Sequence, residues 1–290
     1  MYITPRNHIT LCLHRVLPDN IASSGDMFTV SESNFKLLLY HLRSYYKYVS
    51  IYDFSKISNP QLRTLAFTFD DIYRDFYLYA YPALRDSGIP AHLFITLDPI
   101  LKATPLWHDN YALHPELSQL NFKSILRQHL AGRLSPRQIN SILSKNIDFD
   151  LPESYRPLTF DQLDVLSSDK SITFGFHGYS HFSFRYIPIE DLYSFIIDAY
   201  SSMISLKLID SNAPFSIAYP YGSKSSYPQV LLNSINLPIQ ILEYSTLPVS
   251  CYPYPRTMVT NSDTALSLII RNHLLIPLLR RQSPFLSWLP

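Results

Sequence analysis

Short apolar runs punctuate the chain, separated by longer stretches whose apolar residues recur at helical spacing. Ile9-Thr10-Leu11-Cys12-Leu13, Leu65-Ala66-Phe67-Thr68-Phe69, Ala91-His92-Leu93-Phe94-Ile95-Thr96, Ser171-Ile172-Thr173-Phe174-Gly175-Phe176 and Phe215-Ser216-Ile217-Ala218 predict buried strands. Weaker extended pieces fall at Val49 and Ile51, at 239–242 and at 249–251. Helical spacing marks 33–45 through Phe35, Leu38, Leu39 and Leu42, and then 160–166, 189–206 and 263–275. A further helix over 80–87 is stopped by Gly88, with Pro90 following. Strands alternating with helices imply parallel βαβ units, and 290 residues suit one large (β/α) barrel or two ordinary domains.

The stretch 101–157 is richer in Ser, Gln and Asn and keeps helical spacing at Ile125, Leu126, Leu130 and Leu134. No Gly/Ser linker flanks it, so it reads as a helical insertion within a single domain spanning 1–290. A formal net charge of +1 with scattered Lys and Arg gives no sign of a nucleic-acid partner. The 22 Tyr suit either a carbohydrate cleft or a core. Cys12 and Cys251 are too few for a disulfide framework. Residues 1–8 lack the apolar core of a signal peptide and no run is long enough to span a bilayer, so a cytoplasmic protein is expected. Near the C-terminus, Leu274-Leu275-Ile276-Pro277-Leu278-Leu279 precedes Arg280-Arg281, fitting a core-packed helix or a peripheral membrane contact.

His14, Asp70-Asp71, His177 and Tyr221 each follow a predicted strand, where a (β/α) barrel gathers its chemistry. Asp-Asp after a strand is most often a turn or a cap. His177 and His181 are four apart, on one helical turn or a tight loop, so their imidazoles can grip one metal. Either Asp70 or Asp71 would complete a His₂-carboxylate set with a position open for water, leaving the other acid to take a proton.

Thr68-Phe69-Asp70-Asp71 with His177-x-x-x-His181 resembles the first two motifs of the polysaccharide deacetylases (NodB-homology, carbohydrate esterase family 4). Tyr219-Pro220-Tyr221-Gly222 resembles the third, and Leu13-His14-Arg15-Val16 resembles the YHRV-like opening of members from bacterial surface-polysaccharide synthesis. The likeness runs in order from about residue 9 to about 260. It implies a distorted (β/α) barrel of about seven parallel strands. The implied activity is metal-dependent removal of N-acetyl groups from an acetylated amino sugar, oligosaccharide or polysaccharide. Asp70 becomes the general base, while Asp71, His177 and His181 hold a divalent cation, Zn²⁺ first, with Co²⁺ and Ni²⁺ as alternatives. The backbone N–H of Tyr221 becomes the oxyanion donor.

Gly178 stands where the family has Ser or Thr, and Ala218 where it often has Arg. Arg256 is the candidate to replace that Arg and orient Asp70. The usual late Leu-His acid is not evident and His273 fits poorly on a helix, so His14 is the candidate acid. Trp107, in Trp107-His108-Asp109, is a candidate substrate contact, against ordinary packing of the insertion. His92 reads as structural, and His14 and Arg256 have plain readings as a core histidine and a salt-bridge residue. The alternatives are an O-acetyl esterase, another C–N hydrolase, or a barrel that keeps metal without turnover.

Overall fold

The computed structural model describes residues 7–22, 28–57, 59, 61–112, 122–143, 152–222, 241–245 and 254–275. Its strands are β1 (His8–Leu13), β2 (Arg15–Leu17), β3 (Thr29–Ser31), β4 (Lys47–Tyr48), β5 (Thr64–Asp71), β6 (Ala91–Ile95), β7 (Ile172–Phe176), β8 (Phe215–Ala218), β9 (Ile241–Ser245) and β10 (Tyr254–Met258). The main sheet has eight strands ordered β1-β10-β9-β8-β7-β6-β5-β4, and β5 also pairs with β1, so seven of them close a ring. Every pairing in it is parallel, and short β4 shares one edge of β5 with β6. This is the distorted (β/α) barrel expected.

The helices are α1 (Glu32–Leu42), α2 (Tyr81–Asp86), α3 (Leu97–Lys102), α4 (Trp107–Ala112), α5 (Phe122–Leu130), α6 (Pro136–Leu143), α7 (Phe160–Ser168), α8 (Leu192–Ser205) and α9 (Ala265–Ile270). Alternation along each strand sorts the side chains. On β5, Leu65, Phe67 and Phe69 face outward into a core shared with Phe35 and Leu42 of α1, Leu84 of α2 and Leu163 of α7. Ala66, Thr68 and Asp70 face the barrel interior. On β1 the inward positions are Thr10 and Cys12, with His14 next.

Several local expectations change. Val49 and Ile51 do not continue a strand, because the Ser50 side chain caps a 3-10 helix, Ile51–Lys56, by accepting from the Tyr52 amide at 3.3 Å. Ile51 with Tyr52 and Phe54 then packs into the barrel against Ala66, Phe94 and Ala218. The helix over 80–87 gains a π-helical start, Phe76–Ala80, and the last helix ends in a π-helical turn, Arg271–Leu275. The extended piece at 249–251, Cys251 and the tail beyond 275 with its membrane contact lie outside the described residues. Among the described residues no helix is long and apolar enough to cross a membrane.

Candidate active site

Neighbouring residues of a regular strand point to opposite faces, so Asp70 and Asp71 should not both reach one cavity. The chain solves this by leaving the strand conformation: Asp71 has φ +68° and Ile72 φ +61°. A tight turn follows, in which the Ile72 amide donates to the Asp70 carbonyl at 2.8 Å. Both carboxylates therefore stand, buried, at the mouth of the barrel. His181 (φ +57°) and Tyr221 (φ +62°) are also left-handed, a conformation non-glycine residues adopt at a cost the surrounding structure must offset.

Asp71 Oδ1 lies 3.6 Å from His177 Nε2 and 3.1 Å from His181 Nε2. Despite that proximity it has no hydrogen-bond partner. His177 Nδ1 donates to the Ala218 carbonyl at 2.8 Å, which fixes the tautomer and turns the Nε2 lone pair toward Asp71. Burial lowers the pKa of both imidazoles, favouring the neutral, ligating form. Burial, reinforced by Asp70 and Asp109 and opposed by His14 and His108, pushes Asp71 up to about 6. Two ligands of a tetrahedral zinc ion stand about 3.3 Å apart, given bonds of about 2.0–2.1 Å. The three buried donors fit a divalent cation in spacing and chemistry, and Asp71 Oδ1 has no hydrogen-bond partner.

Asp70 is held differently. Arg256, on β10, donates from Nη1 to Oδ1 at 2.5 Å and from Nη2 to Oδ2 at 2.7 Å. Nη1 also reaches Thr68 Oγ1 at 3.2 Å, and the guanidinium lies over the Phe94 ring. Burial alone would raise the Asp70 pKa, but Arg256 and His177 outweigh it and hold the carboxyl well below its usual range.

Sequence comparisons find neither a matching family model nor a matching curated protein. Solved structures do match. IcaB from Ammonifex degensii aligns with a TM-score of 0.61 at 17% identity, over 92% of this chain and 97% of its own. The Streptococcus pyogenes deacetylase PplD, in complex with acetate, gives 0.59 at 16%, over 90% and 96%. A de-N-acetylase from Aggregatibacter actinomycetemcomitans gives 0.58 at 14%, over 91% and 99%. The fold is that of the polysaccharide deacetylases.

The departures from the deacetylase motifs acquire a structural setting. Gly178 has φ +90°, which no Ser or Thr adopts readily, and its carbonyl accepts from the Leu97 amide at 3.1 Å. The Asp98 amide donates to the Tyr179 carbonyl at 2.7 Å, and the Ser180 hydroxyl donates to the Asp98 carboxylate. His177 to His181 is thus a tight loop buckled onto α3, not a helical turn. Ala218, where Arg is common, supplies the carbonyl that orients His177, while the guanidinium comes from Arg256 in the middle of a strand.

His14 sits partly buried beside the carboxylates, edge-on to Phe28 at 4.9 Å, and its Nδ1 is out of solvent with no hydrogen-bond partner. It is not a satisfied core histidine. Trp107 is 5% exposed and stacks on Phe182. Its indole N–H donates to the His181 carbonyl at 3.3 Å, so it braces the loop from His177 to His181. His92 is buried in the barrel between Thr173 Oγ1 and Ser216 Oγ, each at 2.8 Å. His273 is held by the Tyr46 hydroxyl at 2.7 Å.

A cluster behind Asp71 was missed from sequence. The Tyr73 hydroxyl donates to the Asp109 carboxylate, and the His108 ring lies 4.9 Å from that of His181. Arg15 stacks between Tyr73 and Tyr155, 4.8 and 4.4 Å from their centres, with Nε 3.8 Å from Asp75. Asp75 also accepts from the Val16 amide at 3.0 Å, which pins the chain immediately after His14. The available signals were Tyr73, two residues past Asp71, and the Trp-His-Asp triplet.

Proposed function

We propose that this chain is a divalent-metal-dependent hydrolase that removes acetyl groups from the nitrogen of an acetylated amino sugar or polysaccharide. One observation carries the reading: three buried donor groups, Asp71, His177 and His181, converge beside a second carboxylate that Arg256 keeps ionised. Asp71, His177 and His181 would hold a divalent cation, Zn²⁺ before Co²⁺ or Ni²⁺, which would supply Lewis acidity to a water molecule and to the amide carbonyl. The deacetylases that share the fold, one of them with acetate bound, support the reaction class.

Asp70 takes the proton of the attacking water, and Arg256 aims both carboxylate oxygens while keeping them charged. The backbone N–H of Tyr221 receives the oxyanion that develops on the carbonyl oxygen. His14 gives its proton to the departing amine, because an amide anion is too basic to leave unaided. Trp107 acts through His181, not on the sugar directly. The YHRV-like opening supports a substrate in bacterial surface-polysaccharide synthesis.

The test uses purified full-length chain loaded with Zn²⁺ and offered N-acetylglucosamine oligomers. We expect one tightly held metal per chain and acetate release that Asp70→Asn abolishes while retaining the metal. Acetate from O-acetyl esters alone selects the esterase reading. Bound metal with no acetate from either substrate selects a barrel without turnover.

A further inference from the structure

Cys12 faces the barrel interior two residues before His14 and is wholly buried. Its Sγ lies 3.5 Å from Asp70 Oδ2, and one ligand atom each from Cys12, His14 and Asp70 fall within 4.8 Å of one another. His14, whose buried Nδ1 has no hydrogen-bond partner, belongs to the same cluster. Cysteine, histidine and carboxylate in sequence suggest a nucleophilic triad, but burial pushes the Cys12 thiol well above its ordinary pKa. A thiol so enclosed and protonated is a poor nucleophile. What thiolate, imidazole and carboxylate suit together is a borderline or soft cation.

We propose that Cys12, His14 and Asp70 form a second cation site, weaker than Asp71-His177-His181, that takes Cd²⁺, Co²⁺ or excess Zn²⁺ and arrests the reaction. On binding, the Sγ–metal bond forms as the thiol proton leaves for solvent, since a coordinated thiol is deprotonated. Arg256 already occupies both oxygens of Asp70, and its positive charge opposes a second cation. The site therefore fills after the first. Filling it withdraws Asp70 and His14 together, the groups assigned to proton transfer. The binding site goes beyond the deacetylase reading; the arrest rests on it.

Sulfur separates the two sites, because the first has none. Metal-free full-length chain is titrated with Co²⁺ and followed by absorbance. The first equivalent is expected to give only weak ligand-field bands, and further equivalents the strong near-ultraviolet thiolate-to-cobalt charge-transfer band. Cys12→Ser should remove that band and keep the first equivalent, whereas Cys251→Ser should retain both. If Cys12→Ser does not fold, His14→Ala should raise the cobalt concentration that half-develops the band at least tenfold. No charge-transfer band by ten equivalents in the unaltered chain, a band that survives Cys12→Ser, or one indifferent to His14→Ala overturns the site. With Zn²⁺, acetate release should rise to one equivalent and then fall, and Cys12→Ser should abolish the fall. A chain without deacetylase activity still shows or lacks the cobalt band, so the two proposals fail separately.

Discussion

Arg256 and Asp70 are 186 residues apart in sequence and joined by two hydrogen bonds, at 2.5 and 2.7 Å, in the interior of the barrel. Both are buried, so deleting the guanidinium outright would leave an unpaired carboxylate and cost about 3–5 kcal/mol. Arg256→Lys keeps the charge but loses the fork. A base works only when ionised, so its contribution holds above its pKa and disappears as pH falls through it. With Arg256 in place that pKa lies well below its usual range, and Asp70 stays ionised across ordinary assay pH. With Lys, burial is less well opposed and the pKa rises. The acidic limb of the kcat/KM profile should move to higher pH, with kcat down about 10- to 100-fold from lost alignment. An unmoved limb would count against Arg256 as the residue that sets Asp70.

Metal affinity should depend on pH through Asp71 more than through the histidines. Burial lowers the imidazole pKa values, so His177 and His181 compete little for protons, whereas Asp71 is pushed up to about 6 in the metal-free chain. Zn²⁺ needs the carboxylate, so affinity should be level above pH 6 and fall about tenfold per pH unit well below it. Competition with a chromophoric chelator between pH 5 and 8 measures this. His181→Ala should lower affinity at every pH and retain the bend near 6; a bend that vanished with His181 would assign the proton to the imidazole.

The sequence is informative about which residues meet and poor about how. Alternating apolar blocks place β1, β5, β6, β7 and β8, since burial on both faces of a parallel strand leaves a near-continuous apolar run. The same logic misses β10, because Pro253 and Pro255 leave no continuous apolar run before Arg256, yet Arg256 pairs with Thr10 as a strand residue. Asp70, Asp71, His177 and His181 are legible from spacing. Their shared direction is not, since it depends on left-handed backbone at Asp71 and His181, which the pattern of apolar and polar residues does not mark. Trp107 is a candidate substrate contact in the sequence because an aromatic in a polar stretch can line a sugar cleft. Its burial comes from α5 and α6, whose Ile125 and Ile139 pack against it.

Gly175 tests the packing beneath the site. A Cβ there would stand 2.3 Å from Ser216 Oγ, 2.6 Å from His92 Nε2 and 2.7 Å from Phe94 Cδ1. Those side chains are enclosed by the barrel and have little room to yield. Gly175→Ala should therefore destabilise by about 2–3 kcal/mol, at the upper end of the overpacking range. Gly88→Ala is the control, with nothing within 4 Å of its Cβ but φ +63°. It should cost only about 1 kcal/mol of backbone strain. Urea unfolding of the two variants measures the gap, and equal losses would mean that the barrel interior yields as freely as open solvent.

His92 should make the protein sensitive to acid without taking part in the reaction. Burial, reinforced by Arg256 and slightly opposed by Asp70, lowers its pKa to about 3 in the folded chain against an ordinary 6.5. Between those values the unfolded chain carries a proton on this imidazole and the folded chain does not. The unfolded state then binds more protons, so stability rises with pH through that window. The contribution is complete above pH 6.5 and is lost as pH falls below it, by up to about 1.4 kcal/mol per pH unit. His92→Gln removes the titration and keeps a polar group between Thr173 and Ser216. It should be less stable than the unaltered protein at pH 8, by about 1–2 kcal/mol for the imperfect hydrogen bonds. From pH 8 to pH 5 it should lose about 2 kcal/mol less than the unaltered protein, so the two urea-derived stability curves converge. Charges common to both chains cancel in that difference. Parallel curves would show that the buried imidazole is not what acid attacks.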